Sequence, residues 1–582
     1  MRSTFAGLNT MVRGITANQV SLDTVGHNIT NASTDGYSRQ SVNLVAARSQ
    51  AYPTVNGDAR VGSGVETLSI TRARNVYADK QFWAETATQS YYSTKQTNYD
   101  KVEAIFDDSD NTGIQNALSE FYNALQDLST GASTASNRTA VVEKATNFVD
   151  KVQTAAEQMQ SQIGSQYDDL SSAVTQVNAI TGQIVELNKN IMTTEANGAS
   201  ANDLRDQRDL LVDKLSAYTS VNVYESSDGM YSIVSNGITL VGGVNRLTLQ
   251  MSDPIHNADY GINDYNIQIK ESGINFMPTN GTMKSLQDTI AEDKGYIDDL
   301  SAISGTFLTT FNNVHQQGAG IDGSDSKLGT SDGPSFGLNF FGDNDTVYQW
   351  DDAKQAVKAT KLNNIQRKLE PKSGTDPKAS VTVNITGGVA STQELKGINI
   401  IKELGVNLAI KNDHNKIAAR IFKVTEDTTS TGANAGTYSA ALNGTGDGTN
   451  AVNIASVINM EQKNVSNTAT VKLNGTAVNT VTGGADTTTE RMIGTNSINA
   501  YYNAMMSQLG SDSESMDDKA DAQDDLIEQI TDWRSSTSGV DWNEELSNMI
   551  MFQQGYSACS RCLTTMDEML DRLVNNTGEV GR

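Results

Sequence analysis

Only two cysteines, Cys559 and Cys562, occur in 582 residues, which excludes a disulfide framework. Prolines number six, and all fall between Pro53 and Pro377, so neither end carries the residue that breaks helix interiors. Basic residues are also scarce: 43 Lys and Arg stand against 69 Asp and Glu, a formal net charge of -26. That balance keeps a folded chain soluble. It argues against unaided binding to nucleic acid or anionic lipid, since both need a basic surface. No apolar run approaches the roughly 20 residues of a membrane-spanning helix. The opening MRSTFAGLNTMVRGITANQ lacks the continuous apolar core of a cleavable signal peptide, so any export is expected to leave this end uncut.

Chemistry-bearing motifs are equally sparse. There is no P-loop, G-x-S-x-G or H-E-x-x-H. The four histidines, His27, His256, His315 and His414, share no metal-ligand spacing, and His27 reads as a structural residue of the first helix. Cys559 and Cys562 form a C-x-x-C with no second ligand pair for zinc and no βαβ setting for redox work, so packing is expected. Asp108, Asp110, Thr112 and Gly113 resemble the opening of an EF-hand loop, but Ser119 stands where the bidentate Glu belongs. Paired acids such as Asp107-Asp108, Asp298-Asp299 and Asp524-Asp525 suit solvated helix faces. These absences predict a non-enzyme with no cofactor and no metal.

Periodicity is what the chain has in abundance. Leu8, Ile15, Leu22 and Ile29 recur every seven residues, with Phe5 and Val12 on the adjoining seam, which predicts one apolar stripe on a helix ended by the turn residues of Asn31–Gly36. At the other end Trp542, Met549, Tyr556, Leu563 and Leu570 repeat likewise, interleaved with Phe552, Cys559, Met566 and Leu573. Asp541 fits an N-cap there, with Glu544 placed to close a capping box. The two ends thus read as antiparallel coiled-coil partners. Between them, spacing of three and four from Val141 to Ile191 predicts one helix of about 50 residues, and further helical patterns cover about 76–106, 114–129, 201–217, 284–316 and 491–533. Short alternating runs with Asp-Gly, Asn-Gly and Gly-Gly turns make 221–270 a small β element. Residues 320–490, rich in Gly, Thr, Asn and Ser, read as an inserted β-rich outer domain.

The expected class is mainly α with β insertions: a long antiparallel coiled-coil and helical-bundle rod formed by both termini, a small β-hairpin element and the outer β-rich domain. The expected division is 1–65 with 538–582 as a terminal coiled-coil core, 66–319 with 491–537 as a helical rod, and 320–490 as the insert.

Several blocks carry a family resemblance. Ala17–Arg39 reads ANQVSLDTVGHNITNASTDGYSR, followed by Val61–Val65 (VGSGV), Ile70–Arg74 (ITRAR), Ala201–Val212 (ANDLRDQRDLLV) and Phe311–Gly318 (FNNVHQQG). Ser538–Tyr556 (SGVDWNEELSNMIMFQQGY) and Thr565–Leu570 (TMDEML) close the set. Together they resemble the flagellar rod, hook and hook-associated axial proteins, most of all the hook-associated members. Asn75 stands where related proteins often have Asp, and the two cysteines replace small or aliphatic residues.

The resemblance implies a structural subunit at the junction between hook and filament, stacked in a helical array of its own copies. It implies hook protein and a second junction protein as neighbours, export by the flagellar type III apparatus, and a chaperone on the C-terminal helix before export. Its terminal helices would line an axial channel. Because isolated helices are marginal in water, both ends are expected to order only on assembly. Asn18, Gln19, Asn28 and Asn31, with Gly36 and Tyr37, are matching positions where subunit or channel contacts are expected; solvated or turn residues of a coiled coil that at most set register are the alternative. The rival readings are another axial protein, hook protein or flagellin, or a secreted adhesin or hydrolase on a helical stalk.

Overall fold

The structure, a computed structural model, describes residues 6–54, 57–107, 112–196, 198–351, 353–371, 381–426, 438–459, 469–474, 476–477, 493 and 496–576. Phe5 and the calcium-loop residues Asp108 and Asp110 lie outside the described residues.

The proline-free start forms α1, Ala6–Asn31. An antiparallel ribbon follows, with β1 (Gln40–Ala46) paired to β4 (Val65–Arg72) and β2 (Gln50–Thr54) to β3 (Gly57–Val61). The helical body is built from α2 (Val76–Ile105), α3 (Ile114–Thr130), α4 (Ala135–Ala196) and α5 (Asn202–Tyr218). Asn75 caps α2 by accepting from the backbone N–H of Tyr77 and Ala78 at 3.1 and 3.3 Å, the service an Asp would give. Helix α4 has 62 residues, about 93 Å at 1.5 Å per residue. Its buried positions, including Val141, Phe148, Val152, Met159, Ile163, Leu170, Ile184 and Ile191, keep the spacing read from sequence.

The β element holds a four-stranded sheet of β5 (Asn222–Glu225), β6 (Tyr231–Ser235), β7 (Ile238–Gly242) and β8 (Asn245–Arg246). Asn236 and Gly237, both at positive φ, make the tight turn between β6 and β7 that Asn-Gly favours. Two short pairs complete it, β9 (Leu249–Met251) with β12 (Ile267–Ile269) and β10 (Ile255–Asn257) with β11 (Ile262–Asp264).

Helix α6 (Thr282–Thr306) passes through a π-helical turn, Phe307–Phe311, into α7 (Asn312–Gln316) and β13 (Gly318–Ala319). Beyond it come β14 (Thr346–Asp351), β15 (Ala356–Pro371), β16 (Val381–Leu395), α8 (Ile398–Glu403), α9 (Leu408–Asn412), β17 (Arg420–Glu426), β18 (Tyr438–Leu442), α10 (Thr449–Asn459), β19 (Ala469–Leu473) and β20 (Thr476–Ala477). One sheet runs β14-β15-β16-β19-β20, parallel only between β16 and β19; another runs β13-β17-β18. Helices α11 (Ile498–Ser538) and α12 (Trp542–Asn576) finish the chain.

One apolar core joins the helical body to much of the following region. Phe121, Phe148, Phe307, Phe311, Phe340 and Phe341 interlock with centroids 4.8–6.4 Å apart, and Ile400, Leu404 and Ile454 belong to the same cluster. The π turn places Phe307 and Phe311 together in it. A second, smaller core of Phe336, Val347, Leu362, Val383, Ile385, Phe422 and Val471 lies between the two β sheets.

Candidate assembly surface

Helices α1 and α12 pack as an antiparallel hairpin in constant register. A Cβ added to Gly7 would meet Met566 at 3.2 Å, one on Gly14 would meet Cys559 Sγ at 3.0 Å, and one on Gly555 would meet Asn18 Oδ1 at 2.6 Å. Further along, Asn28 Nδ2 donates to Glu545 Oε2 at 3.1 Å. Every seventh residue of α1 from Gly7 is small or polar (Gly7, Gly14, Ser21, Asn28), and Gly7, Gly14 and Asn28 each meet a longer side chain of α12. The seam is one of close backbone approach, with Ala17, Ser21, Thr24, Val25 and Asn28 as the buried residues of α1.

The larger apolar residues lie to the sides of this seam. Leu8, Ile15, Leu22 and Ile29 are half-buried, as are Asn18 and Asn31, and Val12 is exposed. On α12, Met549, Phe552, Leu563, Met566 and Leu570 are half-buried, while Trp542 and Tyr556 are exposed together with Leu546, Ile550, Met551 and Met569. The side chain of Leu573 lies outside the described residues. Cys559 is half-buried in the seam and Cys562 is exposed, both as free thiols. Among the described side chains of α12, only Glu545 is buried.

The hairpin is anchored at its base by polar contacts. Asn28, 1% exposed, donates to the Gln40 carbonyl at 2.9 Å, while its Oδ1 accepts from Gln40 N at 3.0 Å and from the Tyr37 hydroxyl at 2.8 Å. Tyr37 is held in turn by His27 Nδ1 at 3.0 Å, so His27 is the structural residue expected. Burial, then Asp203, Asp206 and Glu545, push the Tyr37 hydroxyl above its ordinary pKa, so it stays a proton donor. Asp541 caps α12 through the Asn543 N–H at 2.8 Å. Glu544 does not close the capping box expected of it: its carboxylate accepts from Arg39 Nη1 at 2.7 Å, since a guanidinium offers a stronger, charge-assisted bond than a backbone N–H. Gly36 bends the chain here at φ +77, and a Cβ would sit 3.0 Å from Leu210 Cβ, so no other residue fits easily.

From this base an ion network runs into the helical body. Ser38 N donates to Asp206, Arg72 bridges Asp206 and Asp209 at 2.7 and 2.9 Å, Arg74 reaches Asp209 and Asp79, and Arg534 joins Asp79 to Asp213. Burial raises the Asp209 carboxyl, but Arg74, Arg72 and Arg208 outweigh it and hold it below the usual range. At Asp206 burial outweighs Arg72, and the carboxyl is pushed up. Sequence reading did not single out these charges. Their signal was an acidic stripe, Asp206, Asp209 and Asp213, on one face of α5, beside the arginine pair of Ile70–Arg74.

The Phe311–Gly318 block is a set of polar pins. Asn312 Oδ1 accepts from the backbone N–H of Phe340 and Phe341 at 2.9 Å each. Buried His315 bonds the Leu338 carbonyl through Nδ1 at 2.8 Å and accepts from Ala418 N through Nε2 at 3.0 Å, while burial lowers its pKa to about 4. Gln316 donates to Asn339. Among the described residues no group of three or more His, Cys, Asp or Glu is placed to hold a metal, and no helix is long and apolar enough to cross a membrane.

The resembling blocks thus converge on one hairpin base and one set of pins, and whole-chain comparison agrees. Hook-associated protein 1 of Bacillus subtilis is 27% identical over all of both chains. That of Salmonella typhimurium is 25% identical over 98% of this chain and 99% of its own. The family described as flagellar hook-associated protein FlgK helical domain matches residues 99–330, and that described as flagellar basal body rod FlgEFG protein C-terminal matches 534–576. Along its whole length the chain is similar to flagellar hook-associated protein 1. Its fold is also shared with the flagellar hook junction protein FlgK from Burkholderia pseudomallei, at TM-score 0.53 and 18% identity over 79% of this chain and 100% of the other. The first matched family spans α3 to α7 and the second spans the end of α11 and α12.

Proposed function

We propose that the chain is a structural subunit of the bacterial flagellum that forms the junction between hook and filament, with the α1–α12 hairpin as the part that assembles. The observation that carries this reading is the hairpin itself: its internal seam is small and polar, and its larger apolar side chains are left half-buried or exposed along both helices. Side chains of that kind gain burial only against further chains. Leu8, Val12, Ile15, Leu22 and Ile29 on α1, and Trp542, Met549, Phe552, Tyr556, Leu563, Met566 and Leu570 on α12, are the residues through which copies pack. Asn18, Asn28, Asn31, Gly36 and Tyr37 hold the hairpin's register and its base.

On this reading the terminal hairpin with residues 1–65 and 538–582 is the tube-forming part, the helical body a supporting rod, and 320–490 the outward part. Hook protein and a second junction protein are the axial neighbours. The protein travels through the type III export apparatus, with α12 held by a chaperone beforehand, because an amphipathic helix suits a groove. Both ends are disordered in the exported monomer and order on assembly.

Hydrogen exchange on purified monomer and on assembled flagella tests this. Amides of 6–31 and 542–576 should exchange freely in the monomer and be protected in flagella containing the protein. Equal protection in both states refutes ordering on assembly. Immunolabelling along the whole filament or hook, instead of between them, would favour the filament- or hook-subunit reading.

A further inference from the structure

Two surface features of opposite character remain unaccounted for by the fold. The first is the β1–β4 ribbon. It leaves Leu44, Val45 and Leu68 exposed, Leu68 at 70%, and beyond them Arg48 and Arg60 are exposed and in no ion pair among the described residues. Within its own chain the ribbon touches α1, through Arg13 with Glu66 and Gly64 beside Thr10, and its root bonds α5. Both strands are sheet edges.

The second feature is the outer face of α11. Glu514, Asp518, Asp521, Asp525, Glu528 and Asp532 recur at steps of four and three, all exposed, and so form one acidic row about 27 Å long. Like charges at such spacing weaken a helix. Lys519 does not interrupt the row, since its ammonium lies over the Tyr92 ring of α2. Next to the row's end the rings of Tyr77 and Trp533 meet edge-on at 5.9 Å, and Tyr77 and Val76 are exposed at 69% and 63%.

Resting on the junction reading, we infer that the ribbon of one copy docks on the α11 face of the next. Exposed leucine and valine of the ribbon cover Val76, Tyr77 and Trp533, and Arg48 and Arg60 lie along the acidic row. Each patch has an apolar part and a charged part, and the charges are opposite in sign. A patch and its complement on different faces of one chain make a heterologous contact, the kind that propagates through a stack of copies and does not close as a dimer. The acidic row, unfavourable in the isolated subunit, is neutralised by the neighbour, and wrong pairings of row against row repel.

Charge exchange tests the contact. The full-length chain is supplied to a flagellated strain lacking its own copy, and protein in sheared flagella is measured against protein lost to the medium. Wild-type protein absent from flagella would refute the junction reading itself. With wild type present, R48E/R60E should lower retention about tenfold, reversed pairs being worth more than exposed pairs merely deleted. D525K/E528K should do the same. The four changes together should return retention to within about twofold of wild type, which also shows that each half folds. Undiminished retention of R48E/R60E, or a combined variant no better than its halves, overturns the inference.

Discussion

Asp293 offers a test of how the helical body is balanced. It sits in α6 with no exposed surface, and its carboxylate accepts from Asn98 Nδ2 of α2 at 3.0 Å and Gln166 Nε2 of α4 at 2.8 Å, with no ion pair among the described residues. Burial pushes its pKa up to about 7, against an unfolded value of about 3.9. The sign follows from proton counting. Between about pH 4 and 7 the folded state holds a proton that the unfolded chain has released, so stability falls as pH rises. At about 1.4 kcal/mol per unit over about three units, the loss approaches 4 kcal/mol as an upper bound. Asp293→Asn removes the charge and keeps the shape, and its amide can donate to Gln166 Oε1, which has no partner among the described residues. We expect the variant to be more stable than wild type by about 1–3 kcal/mol at pH 8 and to lose that advantage as pH falls toward 5.5.

His315 contributes the opposite slope. Its folded pKa of about 4 lies below the unfolded value, so its stability is full above about pH 6.5 and is lost as pH falls toward 4. Comparing Asp293→Asn with wild type at each pH cancels that background. Urea unfolding followed by far-ultraviolet circular dichroism from pH 5.5 to 8.5 gives the difference. An advantage that does not change with pH, or destabilisation at pH 8, would sink the reasoning.

Two further substitutions probe the hairpin and the shared core. Gly14→Leu should push α1 from α12, because even a Cβ already meets Cys559; a cost of about 1–3 kcal/mol to the hairpin contact is expected, read as faster exchange of 6–31 in assembled flagella while the body's thermal melt stays fixed. Phe340→Ala should cost about 3–5 kcal/mol and lower the melting of α3, α4 and α6 together with the region after residue 320, since its ring contacts Phe121, Phe311 and Phe341; a melt that leaves the helices unmoved would show the two regions to be energetically separate.

Much of this architecture was legible because long helices announce themselves locally. Between Val141 and Ile191 nearly every buried side chain of α4 falls on the spacing that the chain displays, and α2, α3 and α5 begin and end within a few residues of expectation. The β1–β4 ribbon escaped notice because a two-stranded ribbon lying open to solvent needs no strict alternation, and β2 contains Pro53. Residues 320–490 looked separable on composition, yet Phe340, Phe341 and Ile454 enter the helical core through pairings distant in sequence, which no local pattern reports.

The hairpin shows a different limit. A heptad of Leu8, Ile15, Leu22 and Ile29 says that an apolar face will be covered, but not by what. Within one chain the closest approach went to Gly7 and Gly14 of α1 and Gly555 of α12, because small residues let two helices come together, and one buried Asn28–Glu545 pair sets their register. A coiled coil made only for itself would bury its leucines there. Reserving that seam for small residues turns the apolar ones outward, where an unassembled chain gains little from them. The hairpin's weakness alone and its fitness for assembly therefore have one cause, the placement of those small residues.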